Sequence, residues 1–380
     1  MTRPQNRAFR LLRLVHPCLL GLGMLFMGHA SAAAQTVGTP LRIGLSLPLS
    51  GNAEALARQF EKGARKALED LSADKNIEIV IADDGCDEEI ANLAAQDLRA
   101  AKVSIVTGLL CNAAVRAHAD ELREDGVPIL IAGARSERLL KDAEKEGWHL
   151  WRMAPGDDDA AQAAHRIFSQ RWRTTPWAII DDGTVYGRTL GDALRALMEE
   201  SGQPPQFVDN FRPAQSTQAG LIRRLRQSGV SAAFIAAGPD DVSTIWSNRN
   251  EFGGNFEIAG GEALASLNWL DTTGDIEDGL LAVLRSDPRR NEKGRKLALA
   301  LADAKVEPDE YAFMGYTAVQ IALAALRRTP EETRAALDDT VFNTVTGIYA
   351  FGPDGGRRGN DYALHVWRGG KFVPVGDAGE

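Results

Sequence analysis

The fold is decided by residues 41–85, LRIGLSLPLSGNAEALARQFEKGARKALEDLSADKNIEIVIADDG. From Leu41 to Leu47 apolar residues alternate with small or polar ones, the period-two pattern of a strand. The period then changes. Leu56, Phe60, Ala64, Ala67, Leu68 and Leu71 recur at helical spacing with charges between them. Ile77 to Ala82 is a second strand-like run. Strand, helix and strand in this order form a βαβ unit, which implies a parallel pair joined by a right-handed crossover.

The same rhythm extends outward. Ile90, Leu93, Ala94 and Leu98 mark a second helix. Val103 to Val106 and Val127 to Ala132 are short apolar runs bounded by Gly and Pro, suited to buried parallel strands, with a helix from about Ala113 to Arg123 between them. After Ala154-Pro155-Gly156-Asp157 the pattern restarts. Trp177 to Ile180 is a strand, Leu190 to Met198 lies in a helix, and Phe207-Val208 begins the next strand. Leu221, Ile222 and Leu225 fall in a helix, and Val230 to Ala237 and Phe256 to Ala259 give two more strands. Two late helices are expected over Lys293 to Ala304 and Glu310 to Arg327. A hairpin is expected between Val345–Phe351 and Tyr362–Trp367, with Gly355-Gly356 in its turn. The fold class is therefore α/β: two doubly wound parallel-sheet lobes joined by a hinge that the chain crosses more than once. Their expected extents are 35–153 plus 285–345 for the first lobe and 154–284 plus 346–380 for the second.

The N-terminus reads as a secretory signal peptide. Arg3, Arg7, Arg10 and Arg13 make a basic region without acids, Leu14 to Met27 is mostly apolar, and Ala30-Ser31-Ala32 is an A-x-A cleavage pattern. Removal of residues 1–34 is expected, with cleavage near Ala32 to Ala34 and export to the periplasm. A membrane anchor is the rival reading, but the apolar run is short and broken by Pro17 and glycines, where a spanning helix wants about 20 apolar residues. Cys18 sits inside the apolar run, which argues against a lipoprotein. The remaining chain of about 345 residues is longer than one core usually supports, which agrees with two lobes. With 43 Lys+Arg against 52 Asp+Glu, the net charge is −9, and losing four arginines makes the exported chain more acidic still. An acidic surface argues against nucleic acid or an anionic membrane as partner.

Processing leaves two cysteines, Cys86 and Cys111, and an even pair in an oxidising compartment reads as a disulfide. The rivals are a metal site and a catalytic thiol. His118, His149, His165 and His365 are scattered without metal-ligand spacing. No metal and no cofactor is expected. Reaction machinery is also missing from the motif inventory: there is no G-x-G-x-x-G after the first strand, no G-x-x-x-x-G-K-[ST], no G-x-S-x-G and no H-E-x-x-H. Asp83-Asp84 and Asp181-Asp182 are paired carboxylates at strand ends. They suit acid/base or metal chemistry on one reading and capping of a strand-to-helix turn on the other, and capping is preferred.

Asp83-Asp84-Gly85-Cys86-Asp87 and several other segments resemble one family in the right order. Leu47-Pro48-Leu49-Ser50-Gly51 with Gly63-Ala64 resembles its opening strand and first helix. Thr107-Gly108-Leu109-Leu110-Cys111 resembles the segment carrying its second half-cystine. Val185-Tyr186-Gly187, Gly261-Glu262 and Tyr316-Thr317-Ala318-Val319-Gln320 resemble later landmarks. The chain thus resembles the Leu/Ile/Val-binding proteins, the type I periplasmic receptors of branched-chain amino-acid ABC transporters, over essentially its whole length after the signal. The resemblance implies a type I periplasmic-binding-protein fold, a small amino acid or related ligand held between two lobes, hinge closure, an inner-membrane ABC permease as partner, a monomer, and no catalysis. The alternatives are import of a non-amino-acid carboxylate, amide or aromatic acid, a periplasmic ligand sensor, and an exported α/β hydrolase or oxidoreductase.

The resemblance also implies ligand-binding positions. Asn112 stands where the family often has a serine facing the ligand's carboxylate; it would start a helix, whose N–H groups bind anions, or serve only as an N-cap. Gly133 and Ala134 would offer backbone to the ligand. Arg135 replaces a common threonine, and its planar fork suits a carboxylate; its other reading is a solvent-facing side chain or one paired with a neighbour such as Glu137. Glu262 matches the glutamate that meets an ammonium, and Tyr186 would reach in from the second lobe. Leu56 stands where one member has tryptophan, and Tyr311 falls near a family aromatic. Gly238-Pro239-Asp240 replaces a tyrosine segment, so the amino-acid clamp is only partly kept.

A disulfide closing this loop would contribute about 3–4 kcal/mol in the chain-entropy model. Thiol titration of the exported, denatured protein is expected to find almost no free thiol; two reactive thiols per chain would mean that Cys86 and Cys111 are not joined.

Overall fold

A computed structural model describes residues 40–72, 76–266 and 277–376. The expected signal peptide lies outside the described residues. The chain opens with β1 (Leu41–Leu47), α1 (Glu54–Leu71), β2 (Ile77–Asp83), α2 (Glu88–Ala100), β3 (Ile105–Gly108) and α3 (Asn112–Leu122). It continues with β4 (Ile129–Ile131), α4 (Glu137–Glu146) and β5 (Leu150–Arg152). These strands form one parallel sheet in the order β2-β1-β3-β4-β5. Next come α5 (Asp159–Arg171), β6 (Trp177–Asp181), α6 (Val185–Glu200), β7 (Phe207–Asn210) and α7 (Ala219–Ser228). β8 (Ala232–Ala236), α8 (Pro239–Glu251), β9 (Glu257–Gly260) and β10 (Leu281–Arg285) follow. The last elements are α9 (Glu292–Asp303), α10 (Glu310–Ala325), α11 (Pro330–Asp339), β11 (Phe342–Thr344), β12 (Gly347–Tyr349), β13 (Tyr362–Arg368) and β14 (Lys371–Pro374). The second sheet runs β14-β13-β10-β9-β8-β6-β7.

Each sheet is covered on both faces, and period-two side-chain alternation decides which residue faces which layer. On β8, Ala233 and Ile235 join one core with α7 and α8, while Ala232, Phe234 and Ala236 join the opposite core with α5 and α6. In the first sheet, Ile43, Leu45 and Leu47 face α1, α9 and α10, whereas α2, α3 and α4 cover the other face. Helix starts follow local capping chemistry: Asp87 accepts from the Glu89 and Ile90 amides, Thr184 from Gly187, and Asp309 from Ala312.

The closest approach is between α1 and α10. A Cβ on Gly63 would lie 1.9 Å from the Ala312 carbonyl oxygen, and one on Gly315 would lie 2.0 Å from that of Phe60. Reciprocal glycines therefore let the two helices touch backbone to backbone, docking the late part of the chain onto the first sheet.

One expectation is corrected. The hairpin between Val345–Phe351 and Tyr362–Trp367 does not form. β12 pairs instead with β11, and β13 pairs with β10 and β14. Gly355 and Gly356 do lie in a tight turn, which closes only a short antiparallel bridge between Phe351 and Arg357, and Gly355 also accepts from the Arg152 amide at 2.8 Å. The turn after Trp367 is built on Gly369 and Gly370, both at positive φ. Both sheets are dominated by parallel pairs as expected, and the second carries β13 and β14 antiparallel at its edge. Of the expected lobe boundaries, those at 153/154 and 284/285 fall at the ends of β5 and β10. The third, at 345/346, falls inside the β11–β12 hairpin, whose Tyr349 and Phe351 pack in the first core.

Cys86 and Cys111 are joined by a disulfide, with Cα atoms 5.4 Å apart. The paired aspartates act as turn caps. Asp83 accepts from the Leu49 and Gly85 amides, and the buried Asp84 accepts from the Ser46 hydroxyl and the Cys86 amide. Asp181 and Asp182 do the same for Gly183 and Thr184.

His118, on α3, is fully buried and donates from Nδ1 to the Ala114 carbonyl at 2.9 Å. Burial pushes its pKa down to about 4, with the Ala114 carbonyl opposing. The fold therefore holds the neutral ring, while the unfolded chain takes up a proton near pH 6.5. This contribution to stability is complete above pH 6.5 and is lost as pH falls toward 4. In urea unfolding, the drop in stability between pH 7 and 5 is expected to shrink by about 2 kcal/mol in His118→Leu. An unchanged pH profile would show that the ring titrates normally.

Candidate functional site

Parallel α/β sheets offer ligand sites outside the carboxyl ends of their strands. In the first lobe these ends lead into the loops at 109–112 and 133–136. β3 ends in Gly108 (φ +96°) and Leu109 (φ +53°), and the Leu109 amide donates back to the Ser46 carbonyl at 2.8 Å. This sharp turn aims the chain into α3. The Ala134 amide donates to the Leu109 carbonyl at 3.1 Å, and a Cβ on Gly133 would lie 2.7 Å from Leu110 Cδ2. A small residue there lets the two loops pack closely. The disulfide fixes the same turn from the other side. The N-cap of α3 is Cys111, without a side-chain cap, and Asn112 is the exposed first helical residue. The N-cap role considered for Asn112 is therefore corrected.

Arg135 leaves the 133–136 loop and reaches the second lobe. Its Nη1 donates to Glu262 Oε1 at 2.6 Å, and its Nη2 donates to the Tyr362 hydroxyl at 3.0 Å. The Tyr362 hydroxyl in turn donates to Glu262 Oε2. Glu262 opens a short 3-10 turn after β9, and Tyr362 opens β13. One cation from the first lobe thus closes a ring with a carboxylate and a phenol of the second. The alternative partner considered for Arg135, Glu137, is held instead by the buried Arg152 at 2.5 Å. Arg152 Nη1 also donates to the Arg135 carbonyl at 2.8 Å, bracing the loop from behind.

The electrostatics follow from burial. Desolvation works against the Arg135 charge, but Glu262 and Tyr362 outweigh it and raise its pKa. Tyr362 is pushed far up, by burial first and then by the Glu262 charge, so its hydroxyl stays a donor. Tyr186 stands beside this ring and accepts from the Ala263 amide at 3.2 Å. Burial, opposed by that amide and reinforced by Glu262, pushes it up to about 12.

Of the residues read from the sequence, Arg135, Glu262 and Tyr186 come together, with Gly133 and Ala134 forming the loop beneath. Leu56 lies exposed in the first turn of α1, and Tyr311 lies half-buried in the first turn of α10, near Arg285. Among the described residues, no hydrogen bond or ion pair joins Leu56, Asn112 or Tyr311 to the ring. Gly238 is the N-cap of α8, with Pro239 at its first position. Tyr362 and Arg152 were not anticipated. Tyr362 sits 100 residues after Glu262, and nothing in its own neighbourhood marks it. A separate groove of about 590 Å³ lies at the crossings between the sheets, lined in part by Asp287, Arg290, Arg357 and Asp361.

A family model described as periplasmic binding protein matches residues 40–371. The chain is 24% identical to Leu/Ile/Val-binding protein homolog 2 of Brucella abortus over 361 residues, 91% of this chain and 96% of that one. A Desulfitobacterium hafniense ABC transporter substrate-binding protein in complex with Leu superposes with a TM-score of 0.65 at 20% identity, covering 88% of this chain and all of the other. A Rhodopseudomonas palustris ABC transporter solute-binding protein in complex with p-hydroxybenzoic acid gives 0.67 at 16% identity, covering 88% and 95%.

The Arg135–Glu262 pair is partly buried, which makes it stronger than the exposed Lys296–Glu292 pair on α9. A double-mutant cycle on Arg135→Ala and Glu262→Ala in urea unfolding is expected to give a coupling of about 1–2 kcal/mol. The same cycle on Lys296 and Glu292 should give less than about 0.5 kcal/mol. Equal couplings would show that the ring is broken in solution.

Proposed function

The chain belongs to the periplasmic binding protein family, and from that premise we propose that it is the solute-binding receptor of an ABC importer. It takes a small solute at the strand ends between its two lobes and presents the closed form to an inner-membrane permease. It does no chemistry on the solute. The observation that carries the reading is the ring of Arg135, Glu262 and Tyr362, in which the facing loops of the two lobes meet. A ligand that contacts both sides stabilises the closed state through its differential affinity for it.

The ligand class is a small amino acid or a related organic acid. The Leu/Ile/Val-binding relatives and the leucine-bound neighbour support the first, and the p-hydroxybenzoate-bound neighbour supports the second. The first turn of α3, with Asn112 and the backbone at Gly133 and Ala134, is the place for the ligand's carboxylate, because unpaired N–H groups at a helix start attract anions. Tyr186 closes the site from the second lobe. Synthesis with a cleaved signal peptide and work in the periplasm complete the reading.

The test is a thermal-shift screen of the processed protein against amino acids, dicarboxylates, amides and aromatic acids. At a hundredfold excess over Kd a true ligand stabilises by about 2.7 kcal/mol and raises the midpoint by several degrees. If no small solute shifts the midpoint at millimolar concentration, the receptor reading fails.

A further inference from the structure

Resting on the receptor reading, we propose that Arg135 takes the place of a ligand's ammonium group on Glu262, so that the cleft selects a small carboxylic acid without an α-ammonium group. Both Glu262 oxygens are engaged from within the protein: Oε1 by Arg135 Nη1 at 2.6 Å and Oε2 by the Tyr362 hydroxyl. The one negative charge in the ring already faces a fixed positive charge. An ammonium brought to the same acceptor would meet a guanidinium within a few ångströms in a half-buried site, where like charges repel strongly.

Moving Arg135 aside is opposed by contacts that do not involve Glu262. Its carbonyl is held by Arg152, which is itself buried and paired with Glu137, and its Nη2 lies 3.5 Å from the Gly156 carbonyl. Gly156 lies close against the Arg152–Glu137 pair: a Cβ there would fall 2.9 Å from Arg152 Nη2 and nearer still to Glu137 Oε1. The cation is therefore part of the wall. The other side of the cleft favours an anion. Next to the 133–136 loop stands the start of α3, with no side-chain cap, and Arg135 Nε is buried without a hydrogen-bond partner. One carboxylate, one guanidinium and one helix start leave room for a negative ligand and none for a zwitterion's cation.

The experiment is calorimetric titration of matched pairs: leucine against 4-methylpentanoate and phenylalanine against 3-phenylpropanoate, with benzoate and 4-hydroxybenzoate alongside. Wild type is expected to bind at least one acid, with each amino acid at least 100-fold weaker than its deaminated partner. In Arg135→Thr, which frees Glu262, that preference should shrink at least tenfold. Glu262→Gln serves as a second variant. It should weaken the acid only modestly and should not create amino-acid binding. A wild type that prefers the amino acid of either pair overturns the inference, and so does amino-acid binding created in Glu262→Gln. Silence from every acid overturns it as well. A midpoint shift with any other small solute would then leave the receptor reading standing.

Discussion

Two glycines that let helices α1 and α10 meet backbone to backbone hold the molecule to its plan. Gly63 and Gly315 each leave no room for a side chain against the facing carbonyl. The contact joins a helix made from the first strand–helix unit to one that arrives only after the second sheet is nearly complete. It therefore obliges the chain to return, and the return creates the multiple connections between the sheets. Tyr316 and Val319 follow Gly315 into the first core beside Phe60 and Ala64. Without so close an approach, α10 would stand off from the first sheet and expose that core.

At the cleft the governing quantity is charge balance. Arg135 and Glu262 come from opposite lobes and cancel one another, with Tyr362 kept protonated between them. The arrangement depends on a hidden brace: Arg152, at the end of β5, fixes both the Arg135 backbone and Glu137. A similar logic runs through the crossings. There Arg285 meets Glu310 and Asp361, and Asp361 also meets Arg357. Charged groups thus sit where the lobes connect, while the cores carry the apolar load.

The alternating strand–helix plan was legible because most parallel strands are short apolar runs and covering helices such as α1, α2 and α7 are amphipathic. Elements that broke those patterns escaped. β5 is three residues long and contains Arg152, and α8 mixes Asp, Ser, Asn and Trp with little periodicity. The mistaken hairpin came from extending the turn at Gly355-Gly356 to the flanking strands: that turn closes only the bridge between Phe351 and Arg357, while β13 pairs with β10 and with β14 across the turn at Gly369-Gly370. Arg135, Glu262 and Tyr186 were visible as strand-end residues in familiar positions. That Arg135 and Glu262 would pair was not, since 127 residues separate them and only the closed three-dimensional path brings them together. Tyr362 was invisible for the same reason.

The disulfide has a consequence for timing. It ties the loop after β2 to the turn that launches α3, and that turn is one wall of the cleft. Such bonds form in oxidising compartments and stay open in the reducing cytosol. A newly made chain still inside the cell therefore carries this wall untied. The wall is locked only where the surroundings are oxidising, so its assembly is coupled to location.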